Sequence, residues 1–181
     1  MTHKTHLGLM ARYNQWMNAR LLELMAAHPD ADFHADTGAF FGSVWGTLNH
    51  LIVADLIWMG RLSGHPSGSA LSAAKTLPQP KGLNDALYSE LSAFAPVRRE
   101  LDHLWLSYSE GLSDADLETP VTYRRVNGDA HTKPLGLVLS HVFNHQTHHR
   151  GQITTLLSQM GLDIGVTDVL VLVPELDPDI K

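Results

Sequence analysis

Four stretches of this chain repeat apolar side chains at the spacing of an α-helix, and that repetition constrains its fold more than any other feature. In "LGLMARYNQWMNARLLELM", residues 7–25, Leu7, Met10, Tyr13, Met17, Leu21 and Leu24 share one stripe, and "AAHPDAD" with Pro29 closes the helix. A second helix fits "SVWGTLNHLIVADLIWMGRL", Ser43 to Leu62, with Ser43 as N-cap and "SGHPSGS" as its stop. Residues 64–82 are rich in Gly, Ser and Pro, show no sustained period and read as a long connection. A third helix suits "LNDALYSELSAFAPVRRELDHLWLSYSEGL", capped at Asn84 or Asp85, ended by Gly111, and kinked or broken at Pro96. The fourth runs from about Pro134 to Gln159 or Met160, with Gly161 at its stop.

Between the third and fourth helices, "LETPVTYRRVNGDAHTKP" sets two short stretches around Asn127-Gly128, a hairpin signal that predicts a small β-ribbon. The tail "VLVLVPELDPDIK" adds a brief strand, limited by Pro174 and Pro178. No internal repeat or linker divides residues 1–181, so the expectation is one domain, all-α, a four-helix bundle carrying a small β-ribbon.

Composition narrows the function classes. With 44% hydrophobic and 18% charged residues the chain is globular rather than disordered. Apolar runs such as "LIVA" and "VLVLV" are too short to span a bilayer, and the opening residues lack the apolar stretch of a signal peptide, so a cytoplasmic protein with no membrane partner is expected. The absence of cysteine excludes disulfides, thiolate nucleophiles and thiolate metal ligands. A formal net charge of -6, with basic residues clustered only as pairs such as Arg98-Arg99 and Arg124-Arg125, argues against nucleic-acid binding.

Of twelve histidines, four crowd into "HVFNHQTHHRG", residues 141–151. On a wheel of about 100° per residue with His141 at zero, His148 falls near −20°, His145 near 40° and His149 near 80°. The apolar face, from Val138 and Leu156 through Ile153 to Leu139 and Leu157, centres near about 110° on the same wheel. His145 and His149 therefore face inward, four residues apart, close enough to share one ion. His141 and His148 look outward or sideways, as solvated or boundary histidines, with support of a ligand or contact with a substrate as the alternative. Two imidazoles make a weak site, so a third ligand is expected from another helix: His50 in "TLNHLIVAD", or His103 in the third helix. Asp55 shares a sector with Val44, Leu48 and Leu62 and needs a partner if buried, whether a ligand histidine, an arginine such as Arg150, or a helix end. Asn49, Asn144 and Gln152 are candidate polar neighbours of the site.

"YNQWMNARLL", "LNHLIVADLIWMGRL" and "HVFNHQTHHRGQITTLL" together resemble the DinB/YfiT-like family of metal-dependent proteins. The resemblance covers the first, second and fourth helices. It implies a four-helix bundle with one divalent metal ion, nickel or zinc, held by His50, His145 and His149, which selects His50 over His103. It also implies a homodimer, and, for some relatives, a transferase or isomerase using a low-molecular-weight thiol such as mycothiol, bacillithiol or glutathione. Catalytic residues beyond the metal ligands are not specified by it.

Two classes of function follow. One is a metal-dependent enzyme, either a thiol transferase, whose thiol must come from a cosubstrate because the chain has no cysteine, or a hydrolase, for which no carboxylate base stands beside the histidine pair. The other is a non-catalytic metal-binding stress-response module, which a sealed site with a fourth protein ligand would favour. In a third reading the histidines are only structural.

Overall fold

The structure, a computed structural model, describes residues 2–125 and 128–176. Its elements are α1 (His3–Ala27), α2 (Val44–Leu62), α3 (Leu91–Gly111), a short α4 (Asp114–Leu117), β1 (Pro120–Arg124), β2 (Ala130–Pro134) and α5 (Leu135–Gln159), with 3₁₀ segments at Ser69–Thr76 and Val169–Leu172. The fold is all-α with one small antiparallel ribbon, as the apolar periodicity predicts.

The four long helices bury their stripes against one another. α1 packs on α3 and α5, and α2 packs on α5 and α3, so the consecutive helices α1 and α2 lie across the bundle from each other. Trp105, Phe94, Phe143, Met17, Leu21, Leu51 and Ile52 fill the centre. The Trp105 and Phe143 rings meet edge to face with centroids 6.0 Å apart, joining α3 to α5 across the core. Each such side chain contributes roughly 1.5–3 kcal/mol by leaving water. Among the described residues no helix is long and apolar enough to cross a membrane.

Caps explain most of the boundaries. Ser43 accepts from the Gly46 amide and starts α2. α1 begins earlier than its apolar stripe, because Thr2 accepts from the Thr5 amide and extends the helix by a turn of polar residues. Gly161, at φ +76°, provides the left-handed turn that ends α5. The short α4, which the apolar pattern does not mark, is held by Ser113 and Asp116 in a capping box.

Three expectations need correction. Neither Asn84 nor Asp85 caps α3, which starts at Leu91. The Tyr88 amide donates to Asn49 Oδ1 at 2.9 Å and its carbonyl accepts from Asn49 Nδ2 and Trp45 Nε1, so side chains of α2 hold this backbone in a non-helical path. Pro96 lies inside α3 without breaking it, because the carbonyl it leaves unbonded belongs to exposed Ser92, where water can serve it. The tail forms a 3₁₀ segment instead of a strand, while the 64–82 connection carries the other one. The ribbon pairs Val121 with Lys133 and Tyr123 with His131; of its turn, Asn127 lies outside the described residues, as does Pro178 of the tail.

Candidate metal centre

The inward histidines of α5 meet a histidine of α2. His145 Nε2 lies 3.3 Å from His50 Nε2 and 3.1 Å from His149 Nε2. One nitrogen from each of the three rings falls within 4.8 Å of both others. Tetrahedral bonds of about 2.0–2.1 Å from an ion to imidazole nitrogens place the donors about 3.3 Å apart, which the two separations from His145 match, while all three nitrogens stay within 4.8 Å of one another. His103 is exposed on α3 and takes no part, while His141 and His148 are exposed on α5.

The protons of these rings are fixed by their outer nitrogens. His50 Nδ1 donates to the Leu83 carbonyl at 3.0 Å, and His149 Nδ1 donates to Gln152 Oε1 at 2.7 Å. Both rings therefore turn an unprotonated Nε2 toward His145, which has at most one Nε2 proton to offer between two short contacts. Lone pairs converging with too few protons are the arrangement that a cation satisfies. Charge on the rings is disfavoured as well: burial, followed by the neighbouring His149 and His50, lowers the His145 pKa to about 3. Burial also lowers His50 and His149. Neutral imidazole is the form that coordinates metal.

Loops complete the surroundings. Asp85 accepts from the amides of Lys81 and Gly82, closing a turn that presents the Leu83 carbonyl to His50. Phe41 stacks on His50 at 3.9 Å between ring centroids and meets His149 edge-on at 5.5 Å. Gly46 permits this approach, since a Cβ there would overlap the Phe41 carbonyl oxygen. Nothing in the sequence marks Phe41 or Leu83, one being a loop aromatic and the other acting through its backbone. Gln152 and Asn49 do neighbour the site, Gln152 directly and Asn49 through the loop segment docked at Tyr88, whereas Asn144 is exposed.

Beneath the rings lies a buried polar network. Asp55 is fully buried and pairs with Arg98, not with Arg150 or a ligand histidine; its other oxygen accepts from Gln146 Nε2 at 2.6 Å. Arg98 also bonds Asp102 at 2.9 Å, which accepts from Asn14 and Asn18. Arg150 donates instead to Asn14. Burial outweighs the Arg98 charge and raises Asp102 to about 6.

One cleft opens on the trio at His50, and a second lies a helical turn away on α5. The first, of about 600 Å³, is lined by Phe40, Phe41, His50 and the 82–85 turn. The other, of about 300 Å³, reaches His141, whose ring lies 6.0 Å from that of His145. Among the described residues no fourth histidine or carboxylate joins the group.

The family model described as the DinB family matches residues 1–175. The chain is 27% identical over 161 residues to Protein DinB of Bacillus subtilis (strain 168), covering 86% of this chain and 87% of that protein. No solved structure matches it.

Proposed function

This chain belongs to the DinB family, and from that premise we propose that it is a metal-dependent enzyme whose divalent ion, nickel or zinc, is held by His50, His145 and His149. The observation that carries the reading is the meeting of three Nε2 atoms whose rings cannot satisfy one another by hydrogen bonding. A divalent ion, when bound there, supplies Lewis acidity that favours the thiolate form of a thiol. The reaction that suits this site is transfer of an electrophilic carbon to the sulfur of a low-molecular-weight thiol. The new S–C bond forms as the leaving group departs with its electron pair, and the thiol proton passes to solvent. The chain contributes no sulfur nucleophile of its own, having no cysteine.

The protein's residues have distinct tasks in this reading. Leu83 and Gln152 keep His50 and His149 in the coordinating tautomer. Phe41 covers one side of the trio and limits water there. Among the described residues no carboxylate joins the group, which disfavours hydrolysis, a reaction that needs a base to activate water. A purely storage or sensing role is disfavoured by the cleft that opens at His50 beside a three-donor group, since structural metal sites are closed by a fourth protein ligand.

The test has two stages. Untagged protein offered nickel or zinc is expected to retain about one ion per chain, and His145→Ala far less. Metal-loaded protein is then assayed with glutathione, bacillithiol or mycothiol and a panel of electrophiles. Thiol-dependent turnover that disappears in His145→Ala supports the transferase; full retention of metal without turnover on any pair favours the non-catalytic module. A metal content near zero after loading overturns both.

A further inference from the structure

The smaller cleft has a chemistry the trio does not explain. It lies between α2, the ribbon and the first turns of α5, and brings Arg61, Arg125 and Lys133 together with Trp58, Tyr123 and His141. Among the described residues no acidic side chain lines it. Among the described residues none of these three cations forms an ion pair, although the chain as a whole carries a net charge of -6.

Arg61 is the fixed member. Its guanidinium lies over the Trp58 ring at 4.7 Å and over the Tyr123 ring at 5.2 Å, and one amino group donates to the Arg124 carbonyl at 3.1 Å. Two aromatic faces and a carbonyl hold the fork in place while leaving it without a full counter-charge. Burial disfavours its charge, Tyr123 offsets part of that and Arg125 adds to it, so an anion entering the cleft relieves an existing cost. The aromatic rings and Val138 supply an apolar wall beside the cations.

We propose that this cleft binds a small organic carboxylate with a flat apolar body, its carboxylate on Arg61 and Lys133 and its body against Trp58 and Tyr123. A volume of about 300 Å³ is at the small end of ligand sites, which excludes large cofactors. His141 lies between cleft and trio: its ring is 5.4 Å from Trp58 and 6.0 Å from His145. On the reading given under Proposed function, on which this role rests, a ligand here directs its far end past His141 toward the trio, so the cleft selects an anionic electrophile.

Binding of benzoate, 3-phenylpropanoate, neutral benzamide and inorganic phosphate is measured by calorimetry on chelator-treated protein, which reads the cleft without the metal. One of the carboxylates is expected to saturate a single site about tenfold or more tighter than benzamide, the margin that a charge-assisted Arg pair supplies. Arg61→Gln and Lys133→Gln should each weaken it, Arg61→Gln by about tenfold or more. Lys133 is exposed on the ribbon, so its variant tests the cleft even if Arg61→Gln fails to fold. Arg12→Gln, which alters a surface pair with Glu110, should change nothing. Equal affinity for benzamide, no loss in Lys133→Gln, or phosphate binding as tightly as the carboxylates would overturn the assignment. Because His145→Ala should keep carboxylate binding intact, failure of the metal reading and failure of the cleft give different results.

Discussion

The imidazole of His50 donates from Nδ1 to the backbone carbonyl of Leu83 at 3.0 Å, so the tautomer of a candidate ligand on α2 is set by a turn 33 residues further along the chain. That turn is closed by Asp85. Asp85→Ala should therefore loosen the carbonyl and lower metal affinity by about tenfold or more, as losing an outer partner does. Competition titration with a chromophoric chelator reads the change, and unaltered affinity would show that the turn needs no side-chain closure.

His149 and His148 are adjacent in sequence but differ in role. His149→Ala should cost more metal affinity than the roughly 10–100-fold typical of outer partners, and His148→Ala much less. Gln152→Leu removes the acceptor of the His149 Nδ1 proton and should fall in that outer range, with Gln152→Glu restoring binding. Equal losses at 148 and 149 would contradict the geometry.

Acid should destabilise the metal-free protein. The folded pKa of His145 is lowered to about 3 from 6.5, and His50 and His149 are lowered too, so between those limits the unfolded chain binds more protons. Their contribution to stability is whole above 6.5 and is lost as pH falls toward 3. Asp102, raised to about 6, acts in the opposite sense over its own range. The comparison is therefore made with His145→Asn, which leaves Asp102 in place: urea unfolding between pH 7.5 and pH 5 should show a smaller loss for the variant.

Gly46→Ala should displace the Phe41 loop, because the added methyl overlaps the Phe41 carbonyl. A cost of about 1–3 kcal/mol is expected from forcing a methyl into a packed site. Metal affinity should fall with it as Phe41 leaves the His50 ring. Thermal unfolding and metal titration check both, and a variant as stable as the parent would mean that the loop gives way freely.

Asp55→Ala leaves Arg98 buried with only Asp102 to answer it, and Gln146 with only the Leu51 carbonyl at 3.3 Å. Removing one member of a buried pair costs about 3–5 kcal/mol. Denaturant unfolding should show a loss of that order, whereas Arg12→Ala at the exposed Glu110 pair should lose little.

The α5 wheel is enough to separate inward His145 and His149 from exposed His141 and His148, because a regular helix turns sequence spacing directly into direction. The start of α3 is not legible that way. Leu83, Leu87 and Leu91 keep a helical spacing, yet Asn49 and Trp45 of another helix take the Tyr88 backbone bonds, and tertiary partners of that kind leave no local signature. The partner of Asp55 escapes for a related reason. Burial is visible in its sector, but α2 packs on both α3 and α5. Choosing Arg98 over Arg150 requires knowing that Arg150 turns from α5 toward Asn14 of α1, while Gln146 is the α5 residue that meets Asp55. The choice of His50 over His103 comes from family resemblance, and the geometry brings His50 to the α5 pair.

The network through Asn14, Asn18, Asp55, Arg98, Asp102, Gln146 and Arg150 draws on all four long helices. Greasy stripes alone do not choose an order of rods around the axis, whereas the observed order gives Arg98 two carboxylates and Arg150 the Asn14 side-chain oxygen. That lock also fixes how far α2 slides along α5, since Gln146 grips Asp55 and the Leu51 carbonyl next to His50. The imidazole trio is thereby preorganised, and an incoming ion meets a socket already shaped rather than one it must assemble.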